Sequence, residues 1–248
     1  MPFTLFHVAA VLPLLRSRKT LFSATGLIIG SIAPDFEKFL RLGLHNRHSH
    51  TWTSILYFSC PVALGLAFLF HLVVRDPFIA HLPRSLYQRL ARFQYFDWGQ
   101  YFRQHYFVVV FSIMLGAATH LVWDSLTHGR DQLVEQYTWL RPYVHGMPVL
   151  LPVFSAFGVI SSSIGALLMV WFVLRLPRNT AIAGSASTGY WLVAGITALG
   201  LLAGRVLLAA SAIDAWGIGV TSLSAAMLGV VFASWRYPNR KVARQYLR

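Results

Sequence analysis

The chain has 248 residues, 56% of them hydrophobic and 12% charged, with a formal net charge of +13 and a mean hydropathy of +0.56. An ordinary soluble domain carries about 25% charged residues, so this composition excludes a disordered chain, a coiled coil and a typical cytosolic enzyme. Apolar runs long enough to cross a bilayer point to an all-α, polytopic integral membrane bundle.

Residues 3–15 are apolar but contain His7 and Pro13, and no basic region precedes them, which argues against a secretory signal. A basic turn follows, Arg16-Ser17-Arg18-Lys19. Residues 21–33 are apolar yet too short to cross alone, so they read as a re-entrant or interfacial segment that ends at Pro34-Asp35. Five later stretches are long enough to span: 53–74, 106–126, 152–174, 190–210 and 215–235. Between the first two, residues 75–105 are polar and rich in aromatics (Tyr87, Phe93, Tyr95, Phe96, Trp98), the pattern of an amphipathic segment on the membrane surface. The last two spans carry Gly195, Gly200, Gly204, Gly217, Gly219 and Gly229, which predicts close helix packing through small residues. Residues 1–150 bear the polar motifs described below, and 151–248 form a three-span region expected to join them in one bundle.

The basic residues lie mostly between the apolar runs. Headgroup contacts and the positive-inside bias therefore account for the charge, and nucleic acid is not an expected partner. Five spans put the termini on opposite sides, with 8 Lys/Arg on the side of the N-terminal segments and 12 on the side of the basic tail. That bias predicts a cytoplasmic C-terminus. Cys60, the one cysteine, excludes an internal disulfide and a cysteine-based zinc site.

Metal-binding and proton-moving side chains gather on the N-terminal side. Of ten histidines, His7, His45, His48, His50, His128 and His145 lie there, and His120 lies at that end of the second span. Asp35, Glu37, Asp124, Asp131 and Glu135 join them. Ionisable residues near membrane depth usually mark function. The sharpest local pattern is His120-x3-Asp124-x3-His128-Gly129, since residues four apart stack on one helix face. Imidazole and carboxylate on successive turns make a half-site for a divalent ion; a buried hydrogen-bonded His–Asp pair that ties helices together has the same spacing. His45-Asn-Arg-His48-Ser-His50-Thr puts three histidines in one loop, a metal-like tract. Gly30-Ser-Ile-Ala-Pro-Asp35 delivers a carboxylate, which could equally cap a helix.

Taken in order, His7, Gly30-Ser-Ile-Ala-Pro-Asp35, His45-Asn-Arg-His-Ser-His50-Thr and His120-x3-Asp124 with Leu126-Thr127-x-Gly129 resemble the bacterial membrane-bound metal-dependent hydrolases. That group includes the LexA-regulated inner-membrane hydrolase. The opening Met1-Pro-Phe-Thr-Leu-x-His7 is similar to an uncharacterised bacterial family of related membrane proteins. The resemblance covers roughly residues 1–150, with a more distant similarity of pattern to zinc-dependent phospholipase C. It implies a metal set of His7, Asp35, His45, His50, His120 and Asp124, holding zinc or else manganese, in a multi-pass protein of the bacterial inner membrane. The family motif has a bulky residue and threonine before its second loop histidine; His48 and Ser49 stand there in this chain, which leaves the division among His45, His48 and His50 open.

A divalent ion in such a site lowers the pKa of water and polarises a phosphoryl or acyl oxygen. Asp35 would bridge metals or act as general base. Arg47 would clamp a phosphate, guanidinium being a bidentate phosphate ligand. The expected reaction is hydrolysis of a phospholipid or another membrane- or envelope-associated ester, with the site on the extracytoplasmic face. The alternative is a non-catalytic His/Asp site for structural, sensed or transported metal.

Overall fold

The computed structural model describes residues 7–16, 21–42, 48–127, 150–181, 187–208 and 215–238. All regular structure among them is helical. In chain order the helices are α1 (Val8–Arg16), α2 (Ala24–Ile32), α3 (Phe36–Arg41), α4 (Ile55–Ala80), α5 (Arg84–Leu90), α6 (Trp98–Thr127), α7 (Leu150–Arg175), α8 (Thr188–Leu208) and α9 (Ala215–Arg236). A 3-10 turn, Ala33–Asp35, joins α2 to α3, and another, Ala91–Phe93, follows α5. Helices α4, α6, α8 and α9 are long and apolar enough to cross a membrane. The remaining expected span is the 26-residue helix α7. The chain is therefore an integral membrane protein.

One span runs beyond its apolar stretch: helix α4 continues past Val74 through Arg75 and Asp76. Helix α6 breaks at His105 (φ −131°, ψ 28°), so residues 98–104 form a leading segment and the apolar span begins at Tyr106, as expected. The surface segment expected over 75–105 is replaced at its start by the end of α4 and contains α5, its flanking turns and the leading turns of α6. Arg75 stays buried because its charge is satisfied locally. It donates to the Asp76 carboxylate at 2.6 and 3.1 Å, to His71 Nδ1 at 2.9 Å and to the Phe96 carbonyl at 2.8 Å. Asp76 also accepts from the Tyr95 backbone N–H. A charge with every donor answered tolerates burial that a lone one does not.

Helix α4 contains two π turns, Ile55–Ser59 and Phe70–Val74. Each lies just upstream of a proline, Pro61 and Pro77. A proline ring displaces the carbonyl four residues earlier, here those of Tyr57 and Val73. Widening that turn accommodates the ring, so Cys60 N–H bonds Ile55 and Arg75 N–H bonds Phe70, five residues back.

By packing, the chain divides into two compact units that interleave along the sequence. One is Met1–Asp35, Arg47–Leu64 and His105–Val173; the other is Phe36–Asn46, Gly65–Gln104 and Leu174–Arg248. In the second, Tyr190, Ala194 and Ala233 form a core between α8 and α9, and Tyr190 hydrogen-bonds Ser234 at 2.9 Å. His81 stacks on Tyr190 at 4.5 Å.

The first unit carries the site. Its α2 is the short apolar segment expected not to span, nine residues long and buried along Gly26, Leu27, Ile29, Gly30 and Ser31. Ser23 caps it by accepting from Gly26 N–H, and the Ser23 N–H itself donates to Ser112 Oγ on α6 at 2.8 Å. The backbones of α2 and α6 touch. A Cβ on Gly26 would sit 2.7 Å from the Val109 carbonyl, one on Gly30 would strike the Ile113 backbone, and one on Gly116 the Leu27 carbonyl. Small residues serve this purpose in membrane helices. Among the glycines expected to pack the last two spans, Gly229 is pressed against Ala194, whereas a Cβ on Gly195, Gly200, Gly204 or Gly219 would meet nothing within 4 Å. Most of those positions thus leave room for a side chain.

Gly30→Ala or Gly116→Ala should therefore cost about 1–3 kcal/mol by overpacking, read as a lowered thermal midpoint of the detergent-solubilised protein. Gly200→Ala should be neutral or slightly stabilising, since the site is open and alanine is the better helix former.

Candidate metal centre

His120 and Asp124 project from the same face of the last turns of α6, with Nε2 3.6 Å from Oδ2. The contact with α2 fixes the imidazole. His120 Nδ1 lies 2.7 Å from the Ser31 carbonyl, and a carbonyl only accepts, so Nδ1 carries the hydrogen. That tautomer leaves the Nε2 lone pair facing inward. Nε2 is buried and has no hydrogen-bond partner among the described residues. A backbone carbonyl on the far nitrogen is the usual orienting partner of a metal-binding histidine.

Asp35 arrives from the 3-10 turn that ends α2. Proline at 34 follows a helix whose Ser31 is packed against α6, so the carboxylate is delivered close to His120. Its Oδ1 lies 3.8 Å from His120 Nε2 and 3.2 Å from His50 Nε2.

His50 is placed by the start of α4. Thr51 Oγ1 accepts from Ser54 N–H, and Ser54 Oγ accepts from Thr51 N–H, both at 3.2 Å. This reciprocal pair is a capping box built with serine in the acidic position. Ser54 Oγ also donates to the Ser49 carbonyl at 2.7 Å. His50 is therefore held one residue before the cap, with Nδ1 3.1 Å from Ser49 Oγ and Nε2 3.2 Å from Asp124 Oδ2. His48 is exposed, and its carbonyl accepts from the Tyr57 hydroxyl at 2.8 Å. Of the loop histidines within the described residues, His50 is the one that the cap turns toward the carboxylates.

His7 precedes α1, which packs on α2 through Val8, Val11 and Leu27. Its ring stacks on His120 at 4.0 Å, and its Nε2 lies 3.5 Å from Asp124 Oδ1. The two oxygens of Asp124 therefore face different partners, Oδ1 toward His7 and Oδ2 toward His50 and His120.

Asp35, His50, His120 and Asp124 each offer a ligand atom, all within 4.8 Å of one another. A tetrahedral zinc with bonds of about 2.0–2.2 Å sets its ligands about 3.3–3.6 Å apart. The separations of 3.2, 3.2, 3.6 and 3.8 Å bracket that spacing. The donor set of imidazole and carboxylate, without thiolate, suits zinc or manganese. Charge fits as well. Two carboxylates in one buried pocket oppose each other's ionisation unless a cation stands between them. One divalent ion neutralises both, leaving neutral imidazoles to complete its shell. The group can thus hold a metal ion.

The sequence motifs placed His7, Asp35, His50, His120 and Asp124 in the site, and these five side chains meet. His45 and Arg47 lie outside the described residues, as do His128 and His145. The sequence reading missed the supporting groups: the Ser31 carbonyl, Ser49, and the Thr51–Ser54 box. The box was visible as Thr51-x2-Ser54, and the carbonyl's role was hinted by Gly26-x3-Gly30 immediately before Ser31.

No curated protein and no solved structure matches the chain. A family described as "Domain of unknown function (DUF4184)" matches residues 1–235. An all-helical membrane protein with a His/Asp centre built from its first 124 residues, the chain belongs to the DUF4184 family.

Proposed function

We propose that the protein is a metal-dependent hydrolase of a phospholipid or another membrane-associated phosphoester or acyl ester, related to the bacterial membrane-bound metal-dependent hydrolases. The observation that carries the reading is the convergence of two carboxylates and three imidazoles from four segments on one buried point, with His120 Nε2 aimed into it and unanswered. Zinc is the first choice of ion and manganese the second. When bound, the ion supplies Lewis acidity to a phosphoryl or acyl oxygen and acidifies water. The chain's own groups do the rest. The Ser31 carbonyl keeps His120 in its Nδ1–H form. Ser49 Oγ orients His50. Asp35, beside His50, is placed to accept a proton from an attacking water.

The site lies at the start of α4 and the last turns of α6, the ends of two apolar spans, which would set it at the depth of lipid headgroups and their ester bonds. Exposed arginines favour a cytoplasmic placement for the connection between α4 and α6 (Arg84, Arg92), for the end of α7 (Arg175, Arg178) and for the end of α9 (Arg236). The site would then face away from the cytoplasm, in the inner membrane of a bacterium.

A second reading is favoured by the four-ligand group itself. Asp35, His50, His120 and Asp124 suffice to close a tetrahedron, and closed shells are typical of structural sites, open ones of catalytic sites. Such a protein would keep, sense or carry its metal without turnover.

Elemental analysis of the detergent-purified protein separates these readings from a purely hydrogen-bonded cluster. The wild type should contain zinc or manganese near stoichiometry, and His120→Ala should lose it while remaining inserted. Turnover of phospholipid esters that disappears with chelator and in Asp124→Asn would support the hydrolase. Retained metal in both variants would overturn the site. Ser49→Ala, which removes the hydroxyl beside His50 Nδ1, should weaken metal binding by about 10–100-fold, measured by chelator competition, with the fold unchanged.

A further inference from the structure

We infer that the site opens sideways into the bilayer interface, between Trp52 and Trp123, so that its substrate is an amphiphile resident in the leaflet rather than a water-soluble ester. This rests on the hydrolase reading above. Burial of the ligand side chains is graded. His120 is 0% exposed and His7 and Asp35 are 3%, whereas Asp124 is 8% and His50 is 11%. The access edge is therefore the one formed by His50 and Asp124.

Among the described residues, what flanks that edge is apolar and amphipathic. On the His50 side, Trp52, Leu56 and Tyr57 are 57–63% exposed. Tyr57 donates its hydroxyl to the His48 carbonyl, so its ring faces outward while its polar end is satisfied. On the Asp124 side, Trp123 is exposed. At about 100° per residue, Phe107, Phe111 and Val122 share one face of α6, His120 and Asp124 another, and Trp123 stands between the two. Phe107, Phe111 and Val122 are all exposed, on a helix long and apolar enough to cross a membrane. They are the lipid-facing stripe, and it is continuous with the flank of the site. Tryptophan and tyrosine settle at headgroup level, where one end of the ring is apolar and the other wet. A lipid with its acyl chains along that stripe would present its ester linkages at the depth of the carboxylates.

The test places the protein in vesicles of phosphatidylcholine brominated either close to the headgroup or deep in the acyl chain. Tryptophan fluorescence is compared for the wild type, Trp52→Phe and Trp123→Phe, conservative changes that leave every ligand side chain in place. The component lost in each variant should be quenched by shallow bromines and protected from aqueous iodide. A component quenched by iodide and untouched by brominated lipid would overturn the lateral opening. Zinc content of the same samples keeps the two failures apart. Metal present without lipid quenching overturns this proposal alone; metal absent overturns the hydrolase reading and the proposal with it.

Discussion

The backbone contact between α2 and α6 is the constraint on which the metal centre depends. Gly26, Gly30 and Gly116 remove the side chains that would hold the two helices apart, and only at that separation does the Ser31 carbonyl reach His120 Nδ1 at 2.7 Å. The same approach lets Ser23 N–H find Ser112 Oγ and brings the 3-10 turn with Asp35 beside the end of α6. Two ligand-positioning contacts and one hydrogen bond between the helices thus follow from one packing event. Because α2 has nine residues and could not hold its place by length, its burial against α6 takes over the role that spanning plays for the longer helices.

The electrostatics of the cluster follow from where it sits. Five ionisable side chains near membrane depth are costly unless their charges cancel. Arg75 and Asp76 illustrate one solution, a guanidinium answered by a carboxylate, an imidazole and a carbonyl. The His/Asp group has two carboxylates facing three imidazoles. A divalent ion among them would neutralise both carboxylates. The separations of 3.2–3.8 Å between histidine nitrogens and carboxylate oxygens are long for charge-assisted hydrogen bonds, which run at about 2.7–2.9 Å. They suit a group of ligands around a shared centre better.

Much of the architecture was readable from runs of apolar residues, because a bilayer demands about 20 of them per crossing and internal satisfaction of every backbone group. The end of α4 was not, because it depends on contacts distant in sequence. Arg75 looked like a boundary until Phe96 supplied its carbonyl, and Trp98 looked like a surface residue until Phe68 packed on its ring at 5.9 Å. The glycines divide for a related reason. Helices α8 and α9 pack closely through small residues, as composition predicted, at Ala194, Ala233 and Gly229, but most of their other glycines are open, while the glycines that join backbones beside the site lie in α2 and α6. Which glycine is pressed is a property of the neighbouring helix. The site divided along the same line. His120-x3-Asp124 was legible because a single helix fixes its geometry. The division among His45, His48 and His50 stayed open from the loop alone, because the direction of each ring is decided by a cap whose hydrogen bonds run through Ser54 and Thr51.

Among the described residues, the groups that orient His120, His50 and Asp35 carry no charge. A carbonyl orients His120, a serine hydroxyl and a capping box orient His50, and a proline-ended turn presents Asp35. None of these can compete with the carboxylates for a cation, and two of the three are backbone features that a side-chain motif does not encode. In a low-dielectric setting this division is favourable, since neutral supports add no further charge to be cancelled. It also separates two kinds of substitution. Changing a ligand removes a donor from the centre, whereas changing a glycine of the α2–α6 contact moves the donors apart while leaving every one of them in place.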